Sequence, residues 1–145
     1  MFKFLKELLV NVAKVNQSLN QYKTVTKSSN IHSRAFLNWG VFLANSGQIE
    51  EAIKKFESSA YMPPKNPESY TNWGIALAKM GRFQEAILKF RDAVHIDPKY
   101  VKAYSLWGAA LVELGKFEEA ENRYEVALTL NPKDIDTYIN WGIAL

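Results

Sequence analysis

Asn38, Asn72, Leu106 and Asn140 stand at a fixed interval of 34 residues. A carboxamide offers a donor and an acceptor, so it can pair with both the N–H and the C=O of an extended peptide. Equally spaced asparagines could hold a backbone without reading its side chains, and Leu106 interrupts that row. Catalytic chemistry has far less to work with. The chain has no cysteine and only two histidines, His32 and His95. That excludes a disulfide framework, a thiolate metal site, a cysteine nucleophile and a multi-histidine metal centre. His95 has Asp92 and Asp97 nearby in sequence, but carbonyls at a helix C-terminus account for a histidine there. There is no glycine-rich phosphate loop, nucleophile elbow or paired metal-ligand motif. The chain is therefore not expected to be an enzyme, and no cofactor or metal is expected.

Charge divides unevenly. Residues 1–32 carry Lys3, Lys6, Lys14, Lys23 and Lys27 against Glu7, whereas residues 33–145 hold 13 basic and 14 acidic side chains. Attraction to an anionic surface would belong to the N-terminal segment, and the near-neutral remainder argues against nucleic acid as a partner. At 145 residues, 48% apolar and 23% charged, the chain suits one domain or a short repeat array.

The elements that must carry these groups repeat. Trp-Gly pairs begin at Trp39, Trp73, Trp107 and Trp141, each 34 residues after the last. Gly47, Gly81 and Gly115 keep the interval, as do Ala52, Ala86 and Ala120, then Phe56, Phe90 and Tyr124, then Pro64, Pro98 and Pro132. Within a unit, Tyr70, Trp73, Gly74 and Leu77 mark one helical face, and Phe83, Ala86, Ile87, Phe90, Ala93 and Val94 mark another. Gly81 separates them where a left-handed turn is required, and Asp97-Pro98 closes the unit. No useful stretch alternates with a period of two, so strands are not expected.

This pattern resembles the tetratricopeptide repeat (TPR) family, whose unit is a 34-residue helix–turn–helix. With Ser33 at position 1, the units are 33–66, 67–100 and 101–134, with a partial fourth at 135–145. Position 8 is Gly40, Gly74, Gly108 and Gly142, and position 20 is Ala52, Ala86 and Ala120. Both must be small for the two helices of a unit to approach. Position 4 stays aromatic in Phe36, Tyr70, Tyr104 and Tyr138. Ser59 departs from the usual alanine at position 27, and Trp replaces the commoner leucine at position 7. The resemblance implies an all-α solenoid whose first helices line a concave groove, acting as a protein-interaction scaffold.

If positions 4, 7, 8 and 11 form the core face, positions 2, 5, 6, 9, 12 and 13 face the groove. Candidate peptide-binding residues are then Asn38, Asn72 and Asn140 at position 6, Val41 and Ile75 at position 9, Val112 at position 12 and Lys102 at position 2. Asparagine ladders in superhelical TPR arms of O-GlcNAc transferases imply a peptide track along position 6. Apolar Val41, Ile75, Ala109 and Ile143 leave a stripe that needs a ligand or a cover. Chaperone co-factors of the family grip a C-terminal carboxylate through five positions, occupied here by Leu37, Val41, Asn72, Lys102 and Leu106. Two of five match, so a co-factor of that type is not expected. Pentatricopeptide RNA readers share the architecture, but their units are a residue longer and their arrays basic.

The N-terminal segment has its own periodicity. Leu5, Leu8, Val12, Val15, Leu19 and Tyr22 alternate by three and four, which predicts an amphipathic helix over residues 1–22. Charges at Lys6, Glu7 and Lys14 make it a poor bilayer span and a poor secretory signal. Thr24 to Asn30 reads as a polar linker, giving an N-terminal helix and linker over 1–30 and an array over 31–145. Three roles are open for the helix: capping the array or lying across its groove, self-association as a short coiled coil, or docking on a membrane surface. A cytoplasmic protein, free or attached to membrane, fits all three. The chain stops at Leu145, position 11 of a unit, so a longer array or the regulatory arm of a larger enzyme is a further expectation.

Overall fold

The computed structural model describes residues 1–144, with the backbone alone for 143 and 144; Leu145 and the Ile143 side chain lie outside the described residues. The described residues form seven helices in chain order: α1 (Phe2–Asn45), α2 (Ile49–Tyr61), α3 (Pro67–Lys79), α4 (Phe83–Ile96), α5 (Val101–Glu113), α6 (Phe117–Leu130) and α7 (Ile135–Ala144). The helices from α1 to α6 pack chiefly on their sequence neighbours, and α7 packs on α5 and α6, which makes an all-α solenoid of helix pairs.

The three tight turns are alike because glycine ends each first helix. Gly81 has φ of 74°, its N–H donates to the Ala78 carbonyl at 2.9 Å, and Arg82 N–H donates to Leu77 at 3.0 Å. This Schellman closure satisfies the last carbonyls and requires a residue without Cβ strain. Gly47 and Gly115 close α1 and α5 in the same way. The longer connections use side-chain oxygens. Asn66 Oδ1 accepts Glu68 N–H at 2.9 Å, with Pro67 opening α3, and Asp134 caps α7 through Thr137 N–H at 3.0 Å.

Glycine at position 8 meets the aromatic at position 24. A Cβ built on Gly74 would sit 2.5 Å from Phe90, one on Gly40 2.6 Å from Phe56, and one on Gly108 2.6 Å from Tyr124. Ala52, Ala86 and Ala120 are buried beside these contacts. Among the described residues Tyr124 has no hydrogen-bond partner for its buried hydroxyl, and burial pushes the phenol up to about 12.

Two expectations about the N-terminus are corrected. Thr24 to Asn30 is no linker but continuous helix within α1. The segment contains neither glycine nor proline, and its hydroxyls return hydrogen bonds along the helix: Thr24 Oγ1 donates to the Asn20 carbonyl at 2.9 Å. Polar composition alone does not break a helix. Nor does the segment cap the array or lie in its groove. The apolar side chains from Phe2 to Tyr22 are exposed, and among the described residues α1 packs only on α2 and α3. No helix among the described residues is long and apolar enough to cross a membrane.

Candidate functional site: the concave face of the first helices

Three adjoining cavities run along the faces of α1, α3, α5 and α7. The central one, about 400 Å³, is lined by Ile75, Ala78, Leu106 and Ala109, with Lys79 and Glu113 among its polar neighbours. Ile75 also borders a smaller cavity of about 90 Å³ with Val41, Ala44, Asn45 and Asn72. Leu106 also borders a third, of about 240 Å³, with Lys102, Ser105, Asp134, Asp136 and Asn140. The shared residues make the three one surface, apolar through the middle, with Asn45 and Asn72 among apolar neighbours at the α1 end and a polar lining at the α7 end.

The sequence-derived candidates are only partly brought together. Val41, Asn72 and Ile75 meet in the small cavity, and Lys102 and Asn140 in the polar one. Asn38 is exposed and lines none of the three, and neither does Val112. Ala109 and Leu106 prove as central as the candidates themselves.

Position 5 does not face the groove as the helical register suggested. Leu37, Thr71 and Ser105 are at most 3% exposed. The reason is visible in one bond: Asn140 Nδ2 donates to Ser105 Oγ at 3.0 Å, from α7 to α5. Position 5 of one unit is thus covered by the first helix of the next. The same bond uses a donor of Asn140, so this asparagine links adjacent units. With Leu106 apolar, the asparagine row reduces to Asn38 and Asn72, whose carboxamides have no side-chain partner among the described residues.

A second 34-residue series escaped the sequence reading. Position 23 is Lys55, Lys89 and Arg123, and each cation lies over the Trp at position 7 of its own unit, at 3.9, 4.0 and 4.5 Å from the ring centroid. The signal was present in the spacing. These cation–π pairs account for Trp at a position where leucine is commoner in the family. Trp73 also meets Tyr61 edge-on and stacks on Tyr70.

Comparison with known proteins agrees with this architecture. Two sequence models, each described as Tetratricopeptide repeat, match residues 45–101 and 77–138, together more than half of the chain. The chain belongs to the tetratricopeptide repeat family. The first TPR of Spaghetti (RPAP3) bound to HSP90 peptide SRMEEVD is 29% identical with a TM-score of 0.74, covering 79% of this chain and 91% of that one. The first TPR domain of human RPAP3 is also 29% identical, at TM-score 0.75 and the same coverage. The Arabidopsis OM64 TPR domain shares the fold at 24% identity and TM-score 0.75, covering 80% of this chain and 96% of that one. No curated protein matches the sequence.

Proposed function

We propose that this TPR array is a non-catalytic interaction module whose concave face holds a peptide segment of a partner protein by apolar side chains. The observation that carries the proposal is the continuous surface through Ile75 and Leu106, open and apolar where a ligand side chain would seat. Structural relatives solved with chaperone peptides support peptide binding as the kind of function. They do not supply the chemistry of recognition here. The clamp positions on α1 are Leu37, which is buried, and Val41, which is apolar, so a C-terminal carboxylate would meet no cation from that helix. Asn72 would fix the backbone beside the apolar seat, and Lys102 and Asn140 would bracket its far end.

The test begins with a random peptide library selected on the full chain. The selected peptides should carry an apolar residue at their centre. Calorimetric titration with the best peptide should then show Asn72→Ala weakening binding by about 1 kcal/mol, the worth of one hydrogen bond. Ile75→Asp should abolish binding, because it places a carboxylate in the apolar seat. Unchanged affinity in Ile75→Asp would reject the proposal.

A further inference from the structure

The stripe on the N-terminal part of α1 is not a separate feature but an extension of the seam that builds the array. Counting by three and four from Leu5 gives Leu8, Val12, Val15, Leu19, Tyr22, Thr26 and Ser29. It then continues without a phase change through Ser33, Phe36, Gly40 and Leu43. From Ser33 onward this seam is covered by α2, and Ser33, Gly40 and Leu43 are buried. The cover thins over Ser29 and Thr26 and is gone by Tyr22. Ser59, near the end of α2, hydrogen-bonds Ser33, and α2 is 13 residues long, about 20 Å. Leu5, Leu8, Val12, Val15, Leu19 and Tyr22 therefore project from a continuous helix with no partner, each at least 45% exposed.

We propose that this segment pairs with the same segment of a second copy of the chain in a short coiled coil, making the protein a dimer with two outward arrays. Four observations favour a second copy. First, the period is 3.5 residues, the spacing that keeps a seam facing one partner helix. Second, the charges lie on the wrong side for lipid. Lys3, Lys6 and Lys14 are more than about 120° around the helix from the centre of the stripe, whereas a helix lying on an anionic membrane carries its lysines at the edges of the apolar sector.

Third, the flanks of the stripe are self-compatible. They hold Phe4, Leu9, Asn11, Asn16 and Ser18, with Lys23 as their one charge, so two copies meet no row of like charges. In parallel register Phe4 faces Leu9 of the other copy, and Asn11 faces Asn16. Fourth, the C-terminal third of α1 is anchored in the array. The helix is already nucleated there, and three heptads need only propagate from it rather than form alone.

Sedimentation equilibrium of the full chain from 1 to 200 μM, a range chosen around the affinity of a short coiled coil, tests the proposal. The expected result is a species of twice the chain mass that dissociates on dilution. Val12→Asp, in the seam, should raise the dissociation constant at least about 100-fold, and Gln17→Glu, on the opposite face, should leave it unchanged. Both variants should keep the thermal melt of the array and the affinity of the groove for its selected peptide, which separates this proposal from that one. A monomer at every concentration would overturn it, as would a dimer that survives Val12→Asp. Flotation of the monomeric chain with phosphatidylserine vesicles, lost in Val12→Asp, would overturn it in favour of a membrane surface.

Discussion

Gly74 and Asn72 lie two residues apart on α3 and answer to different demands. Asn72 lines the groove and does not hold the helix pair together, while any side chain at position 74 must enter the ring of Phe90, 2.5 Å from where its Cβ would stand. Gly74→Leu should therefore cost at least about 3 kcal/mol through overpacking, lowering the melting temperature by on the order of 10 °C. Asn72→Ala should melt with the parent. Circular dichroism melts of the two variants side by side check this, and equal melting temperatures would mean that the repeat phase is misplaced. Such small positions were readable from the 34-residue series alone, because a helix pair in this family approaches at those points. The fate of Asn140 was not, since its bond to Ser105 joins residues one repeat apart, and no spacing rule says which of two neighbouring helices a carboxamide will serve.

At the scale of elements, the one departure from the family's small residues turns out to be a joint. Ser59 on α2 donates to the Ser33 carbonyl of α1 at 2.8 Å and meets Ser69 Oγ of α3 at 2.7 Å, all three serines being buried. Ser59→Ala would restore the commoner alanine yet leave the Ser33 carbonyl and the Ser69 hydroxyl without this partner. The expected outcome is a loss of about 1–3 kcal/mol in urea unfolding, the cost of unsatisfied buried polar groups. A gain in stability would show that the serine joint contributes nothing. Helix boundaries within the array followed from Gly47, Gly81 and Gly115, since each ending has a local chemical cause. Thr24 to Asn30 misled for the converse reason: its residues look like a linker, but serine and threonine are only weak helix formers, and a helix anchored at its far end runs through them.

At the scale of the molecule, stacking converts a 34-residue repeat into a surface that no single unit owns. Ile75 and Leu106 come from different units, and the central cavity exists only because α3 and α5 lie side by side. The solenoid and its groove were therefore legible from periodicity, whereas the weight of Leu106 and Ala109 was not, because pattern reading treated Leu106 as a gap in a polar row. The N-terminal half of α1 extends the same seam out of the array, so the two proposals assign one face to a ligand and another to a copy of the chain. The ligand face defines the proposed function. Amide chemical-shift mapping of the labelled chain, titrated with a library-selected peptide, tests it most directly. Perturbations should concentrate on α3 and α5, around Asn72, Ile75, Leu106 and Ala109. A footprint confined to the outer helices α2, α4 and α6 would contradict it.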